Sequence, residues 1–204
     1  MSNSRKEQES HNFDQVASEW NQQMPEKSLI CADELVRRLQ IRNNHSLLDV
    51  AAGTGIIYSR LLHNKVTPQR YAAIDISQKM LDELKASFSD VETVCADFEE
   101  EFSLNQEFDF VVIYNSIPHF ENLDQVFENA CNNLKHGGTF AIMHARSRQQ
   151  LKEHHERIGH VSSFEPIPSD SRLLDLSGKV GFEIVFIEDD DYFCYVGQRR
   201  NRIR

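Results

Sequence analysis

A glycine turn follows an apolar segment near residue 50. Residues 47–52 read Leu-Leu-Asp-Val-Ala-Ala and are followed by Gly53, Thr54 and Gly55. Glycine lets a backbone turn tightly and approach a ligand at positions that a β-carbon would block. The pattern predicts a buried strand that runs into a ligand-binding turn, and by itself it is compatible with several nucleotide ligands.

Acidic residues stand near the ends of three successive apolar segments, at Asp49, Asp75 and Asp97. Ligands of an open α/β sheet bind beyond the carboxyl ends of its strands. A carboxylate about 20 to 26 residues beyond a glycine turn can accept hydrogen bonds from both ribose hydroxyls, and we predict this role for Asp75. Asp97 is then expected within reach of an adenine amino group. Acidic strand ends suit hydroxyl and cationic groups better than a pyrophosphate.

Two other interpretations of the turn are weaker. The dinucleotide pattern G-x-G-x-x-G requires a glycine at residue 58, where this chain has Tyr58. The second alternative, a tight turn with no ligand, leaves unexplained the three acidic strand ends in register with it. The sequence therefore favours an adenosine ligand without a pyrophosphate.

Apolar segments alternate with helical ones along most of the chain. The strands that we predict cover residues 47–52, 71–76, 91–96, 108–114 and 139–144. This alternation is typical of a parallel, doubly wound sheet that is buried on both faces. Residues 182–188 and 192–198 are separated only by acidic residues, so they must form an antiparallel hairpin. The fold class is therefore α/β, a doubly wound, mostly parallel seven-stranded sheet closed by a C-terminal antiparallel hairpin.

Helical periodicity fills the intervals between the strands. Residues 13–40 are helical, with a break at Met24-Pro25, because proline disfavours helix at the residue before it. Residues 56–63 are predicted to form one helix, and Ser77 is a suitable N-cap for another over 78–88. A further helix over 123–134 is expected to end at Gly137 and Gly138.

With these motifs the chain resembles the class I methyltransferases, Rossmann-like enzymes that use S-adenosylmethionine. It is particularly similar to a small bacterial group that opens with Phe-Asp-x-x-Ala-x-x-Trp, here residues 13–20, and the likeness covers residues 13–198. The resemblance implies that residues 49–55 hold the methionine part of the cofactor and that Asp75 binds its ribose. The cofactor-binding residues that we predict are Asp49, Ala51, Gly53, Gly55, Asp75, Ile76, Met80, Asp97, Phe98, Asn115 and Ser116.

One residue departs from the family's pattern. Ala51 stands where the family often has the first glycine of the turn. Alanine is tolerated at this position if the backbone there is extended.

The acceptor side is expected after the fourth and fifth strands, and the catalytic residues that we predict there are His119, His144 and Arg146. His119 is a candidate base or substrate contact, or else a loop histidine bonded to backbone. Arg146 can clamp a carboxylate or phosphate. Methyl transfer mainly requires alignment of donor and acceptor, and a base is needed only if the acceptor must lose a proton. We predict no metal site, because the nearby histidines lack a tight ligand spacing; they are His144, His154, His155 and His160.

The domain organisation follows from these elements. We predict a disordered tail (1–12), an N-terminal helical lid (13–44), the methyltransferase domain (45–198) and a basic tail (199–204). The polar first dozen residues contain no apolar signal segment, and no apolar run approaches the ~20 residues that a membrane span requires. Four separated cysteines argue against a zinc ribbon or a redox pair. We therefore expect a cytoplasmic protein.

The net charge of -10 argues against general binding of nucleic acid, which needs a basic surface. We predict an S-adenosylmethionine-dependent methyltransferase with a small-molecule substrate, without nucleic-acid or membrane partners, present as a monomer or homodimer. Two alternatives stay open. One is a cofactor-binding regulatory protein without turnover, and the other is a methyltransferase acting on a protein, an RNA or a metal cofactor.

Overall fold

The computed structural model describes residues 2–20, 24–159 and 165–201, with side chains from Lys6 onward. The helices are α1 (Ser2–Trp20), α2 (Glu26–Leu39), α3 (Ile56–His63), α4 (Gln78–Ser87), α5 (Leu123–Asn132), α6 (Arg148–Arg157) and α7 (Asp170–Val180). The strands are β1 (Ser46–Val50), β2 (Arg70–Asp75), β3 (Glu92–Cys95), β4 (Phe108–Tyr114), β5 (Leu134–His144), β6 (Phe182–Asp189) and β7 (Phe193–Arg199). None of the helices in the described ranges combines the length and apolar content of a bilayer-crossing segment.

The seven strands form one sheet in the order β3-β2-β1-β4-β5-β7-β6. The pairs β1–β2, β2–β3 and β4–β5 are parallel. Strand β7 runs antiparallel to both β5 and β6. The predicted fold class, including the reversed C-terminal hairpin, is confirmed.

The chain forms two compact units, residues 1–98 and residues 99–204. In the first unit, β1 and β2 are buried almost throughout, as expected for parallel strands covered on both faces. Helix α2 buries residues at helical spacing, among them Ala32, Leu35, Val36 and Leu39. Helix α3 has the predicted bounds and buries Leu61 completely.

The second unit has an aromatic core. The rings of Phe127 and Phe140 meet edge to face with centroids 5.1 Å apart, and Tyr195 packs 5.7 Å from Phe127. The buried hydroxyl of Tyr195 lies 2.8 Å from that of Ser177 on α7. Such pairing of a buried polar group keeps the core free of an unsatisfied hydroxyl.

The N-terminal helix begins earlier than the sequence predicts. Residues 2–12 belong to α1, which corrects the expectation of a disordered tail over 1–12. Polar side chains attach this helix to the end of β2: Ser10 Oγ donates to the Ile76 carbonyl at 3.0 Å, and Ser77 Oγ donates to Asp14 Oδ1 at 2.5 Å. Because these bonds link residues more than sixty positions apart, local periodicity could not reveal them.

The predicted glycine stop of α5 is wrong. The helix ends at Asn132, and residues 134–138 belong to β5. The Phe108 amide donates to the Asn133 carbonyl at 2.8 Å, and Leu134 pairs with Phe108. Pairing with β4 therefore takes this segment into the sheet, with Gly137 in a left-handed conformation.

Candidate functional site

The backbone between β1 and α3 is left-handed at three positions. The φ angles are 55° at Ala51, 55° at Gly53 and 91° at Gly55. A β-carbon on Gly55 would lie 3.0 Å from Leu84 Cγ on α4, whereas one on Gly53 would have no heavy atom within 4 Å. Gly55 is thus required by its conformation and by its packing, and Gly53 by its conformation alone.

The backbone at Ala51 is not extended, so the condition under which alanine is tolerated there is not met. Its φ of 55° lies in the region that L-residues avoid because the β-carbon approaches the following carbonyl oxygen. The alanine therefore occupies a position that suits glycine better. Its conformation depends on how the turn closes against β2, where the Ala52 amide donates to the Ile74 carbonyl at 2.9 Å.

Asp75 is held in one orientation at the end of β2. The Gly53 amide donates to its Oδ2 at 2.8 Å, and the Ser77 amide donates to its Oδ1 at 2.9 Å. The residue is only 7% exposed. The structure therefore brings the predicted ribose carboxylate directly against the glycine turn.

Asp49 lies deeper than its neighbours in the predicted site. It is 1% exposed, and the Tyr71 hydroxyl donates to its Oδ2. Burial raises the pKa of Asp49 to about 7, the Tyr71 hydrogen bond opposes this rise, and the charge of Asp75 adds to it. Tyr71 is a supporting residue that the sequence analysis missed, because nothing local shows that its hydroxyl faces β1.

A cavity of about 400 Å³ lies between α1 and the ends of β2 and β3. Its lining residues are Lys6, Glu7, Ser10, His11, Asp14, Ile76 and Asp97. Burial raises the pKa of Asp97, against a lowering by Lys6 and with a smaller rise from Glu9. The structure thus brings Ile76 and Asp97 together, and it adds α1 residues that the sequence analysis did not assign to the site. Their only sequence signal was the position of Asp14 within the segment 13–20.

Two of the predicted cofactor residues are core residues in this structure. Met80 is 2% exposed and its amide donates to the Ser77 hydroxyl at 3.1 Å, which caps α4. Phe98 is 3% exposed.

In the second unit, Asn115 connects the ends of β4 and β5. It has a left-handed φ of 55°, and its amide donates to the Met143 carbonyl at 2.8 Å. Its side-chain Oδ1 accepts a hydrogen bond of 2.7 Å from the Ala145 amide. Ser116 turns its hydroxyl back to the Tyr114 carbonyl at 3.0 Å. Asn115 therefore fixes the residue that lies between His144 and Arg146.

His144 is an interior histidine. It is 5% exposed, and its Nδ1 lies 3.0 Å from the carbonyl oxygen and 3.1 Å from the amide nitrogen of Arg146. Burial lowers the pKa of His144 to about 4; the bond to the Arg146 backbone opposes this, and the charges of Arg146, His119 and His155 add to it. His119 is the exposed last residue of a single turn of 3₁₀-helix, Ile117–His119, whose first residue is buried. The three predicted catalytic residues are thus close enough to interact electrostatically.

Among the described residues, the histidines of α6 do not form a metal centre with their neighbours. His154 and His155 have ring centroids 6.2 Å apart. In the part of the chain that the structure describes, no three histidine, cysteine or acidic side chains are arranged to hold a metal ion. His160 lies outside the described residues.

Comparison with known proteins agrees with this geometry. Residues 48–142 match the methyltransferase domain family. A chain from the complex of the Haloferax volcanii Trm112 methyltransferase activator with a methyltransferase superposes with a TM-score of 0.77 at 16% identity, covering 93% of this chain and 98% of that one. An S-adenosylmethionine-dependent methyltransferase from Clostridium acetobutylicum superposes with a TM-score of 0.67 at 16% identity, covering 96% and 99%.

The chain has the Rossmann-like fold of the methyltransferases with which it superposes, and the match to the methyltransferase domain family covers a little under half of its length. Among curated relatives, the chain is 32% identical over 106 residues to malonyl-[acyl-carrier protein] O-methyltransferase of Acetivibrio thermocellus, covering 51% of this chain and 37% of that protein. It is 26% identical over 135 residues to N-methyltransferase 4 of Papaver somniferum, covering 63% and 38%. The matches thus span little more than a third of the length of these two relatives.

Proposed function

We propose that this protein is a methyltransferase that transfers the methyl group of S-adenosylmethionine to a small-molecule acceptor. The observation that carries the proposal is the Asp75 carboxylate, held by the Gly53 and Ser77 amides at the glycine turn. Asp97 and Asp14 add acidic groups to the neighbouring cavity. These carboxylates suit a ligand with ribose hydroxyls, an adenine amino group and a cationic sulfonium, so the residues present fit the cofactor.

The chemistry is an in-line displacement. S-adenosylmethionine supplies an activated methyl group: a lone pair of the acceptor forms the new bond to carbon while the carbon–sulfur pair passes to sulfur. The chain's own residues need only bind and orient the two reactants and exclude water. Asp75 and Asp97 would bind the adenosine part, and Asn115, His119, His144 and Arg146 would form the acceptor side.

A small-molecule acceptor is supported by charge. At a net charge of -10 the chain repels the phosphate backbone that an RNA methyltransferase must bind. The two curated relatives are named for transfer to oxygen and to nitrogen, so family membership leaves the acceptor atom open. A protein acceptor, or a need for an activating partner, is the alternative suggested by the Trm112 complex.

Calorimetric titration tests the proposal. We expect both S-adenosylmethionine and its demethylated product to bind with micromolar affinity. Asp75→Ala should weaken binding at least about tenfold, because a hydrogen bond to a charged group contributes about 1.5–3 kcal/mol. Asp82→Asn, at an exposed acid on α4, is the matched control and should bind like the parent. Since Asp75 also holds two backbone amides, Asp97→Asn provides a second variant that leaves the turn intact.

Two other results of these experiments would argue against the proposal. A thermal shift with NAD and none with either adenosyl compound contradicts the proposal. Binding of both adenosyl compounds without loss of a labelled methyl group to any fraction of small molecules would favour the regulatory alternative.

A further inference from the structure

Arg146 differs from the other half-buried arginines of the protein. Arg38, Arg60, Arg70, Arg148, Arg172 and Arg199 each form a salt bridge with a carboxylate. Within the described ranges, the guanidinium of Arg146 makes no hydrogen bond and no ion pair, although the residue is half-buried. A half-buried guanidinium is normally paired, because its desolvation is costly without a compensating anion.

Arg148, two residues further along the chain, is an arginine whose contacts hold the fold together. Its guanidinium donates to the Pro168 carbonyl at 2.6 Å and bridges to Asp170 and Asp189 at 2.8 and 3.2 Å. It also stacks over Phe193 at 4.7 Å from the ring centroid. These contacts fix the start of α6. The donors of Arg146 are therefore not needed to hold this part of the fold.

Other basic side chains lie near Arg146. Arg146, His119 and His155 act electrostatically on His144, and Arg146 also acts on His154. The guanidinium keeps its charge throughout the physiological pH range. In a protein of net charge -10, a half-buried guanidinium without a partner among the described residues marks a place for an anion.

Arg146 lies at the end of a strand where the acceptor of the proposed methyl transfer is expected to bind. It follows directly after β5, and the Asn115 side chain holds the preceding Ala145 amide at 2.7 Å. Open α/β sheets bind their substrates beyond the carboxyl ends of the strands. The Ser147 hydroxyl and the Gln150 side chain form a capping box that begins α6 immediately after Arg146. The backbone that carries the guanidinium is thus held from both sides.

We propose that Arg146 binds an oxyanion group, a carboxylate or a phosphate, of the methyl acceptor, an inference that rests on the proposed methyl-transfer function. The planar guanidinium matches both groups with two parallel hydrogen bonds. The acceptor is then an acidic small molecule.

The test measures anion binding directly. In protein labelled with ¹⁵N, the Arg146 Nε–H and the His144 imidazole are followed by NMR at pH 7 and constant ionic strength while succinate is added. We expect a saturable shift with succinate and none with succinamide, which has the same skeleton without charge. A parallel titration with inorganic phosphate shows which of the two oxyanions is preferred.

Two variants complete the test. Arg146→Ala should weaken succinate or phosphate binding at least about tenfold, as read at His144, because charged hydrogen bonds are lost. Arg42→Ala, at an exposed arginine of the first unit, should bind within about twofold of the parent, because exposed single charges contribute little. The melting temperature of Arg146→Ala should match the parent's, whereas that of Arg148→Ala should fall.

The proposal is overturned if neither anion produces a saturable shift, or if the shift persists in Arg146→Ala. The titration requires no S-adenosylmethionine. An absence of anion binding alongside normal cofactor binding would therefore refute this inference alone. Failed cofactor binding would refute the proposed function.

Discussion

Replacing Ala51 with glycine is expected to stabilise the protein. The alanine has a φ of 55° in the turn after β1, where the neighbouring left-handed positions 53 and 55 are already glycine. Its β-carbon makes the left-handed conformation unfavourable, and glycine removes that conflict. Ala51, the residue that departs from the family's pattern, is therefore also the strained residue of this turn.

The magnitude follows from two opposing terms. The left-handed conformation costs an L-residue about 1–2 kcal/mol, and glycine would relieve this cost. Glycine in turn increases the conformational entropy of the unfolded chain, which costs about 0.4–1 kcal/mol. The difference predicts that Ala51→Gly raises the free energy of unfolding by about 0.5–1 kcal/mol, or the Tm by about 1–4 °C for a domain of this size.

Differential scanning calorimetry of matched variants measures this effect. The control is Ala52→Gly, next in the chain, which is 4% exposed and lies outside the left-handed region. It should lose about 1.5 kcal/mol, because it gains the entropic cost and loses a buried methyl group. A Tm of Ala51→Gly that falls as far as that of Ala52→Gly would refute the reasoning about strain at the turn.

Two further predictions concern the same unit. Gly55→Ala should lower the free energy of unfolding by about 2 kcal/mol or more, because the new side chain would strain the left-handed backbone and would also meet Leu84. Gly53→Ala should lower it by about 1–2 kcal/mol, from backbone strain alone. Equal urea midpoints for the two variants would contradict this difference. Asp49 has a folded-state pKa of about 7, above its ordinary 3.8, so the stability that it contributes is present below pH 3.8 and lost as pH rises through 7. Asp49→Asn should flatten this decline in urea titrations between about pH 4.5 and pH 8, and a parallel decline in both proteins would refute the assignment.

Most of the fold was predictable because apolar periodicity is a local property. Helix α3 and strand β4 have the predicted bounds, and the C-terminal hairpin was required by its short acidic connection. Helix α7 was missed, since Gly178 interrupts its pattern and its buried residues Leu173 and Leu176 are few. Its place depends on packing against β6, which no local pattern shows.

The candidate site was predictable in part. The spacing between the glycine turn and Asp75 indicated their proximity, and the 2.8 Å hydrogen bond from the Gly53 amide shows it. That Ser10 and Asp14 of α1 bond to the end of β2 was not predictable, because these contacts join segments distant in the chain. The roles of the site residues toward cofactor and acceptor stay predictions that the titrations address.

The sequence by itself determined the succession of strands, the glycine turn and the acidic strand ends, because all of these depend on neighbours along the chain. Only the tertiary structure decided that Ala51 is left-handed and that His144 is buried against the backbone of Arg146. The tertiary structure also distinguished Arg148, which is fully paired, from Arg146, whose guanidinium has no partner among the described residues. The sequence alone does not distinguish Arg146 from Arg148, which are two positions apart. Their chemistry differs because the folded chain places carboxylates around one of them and histidines near the other.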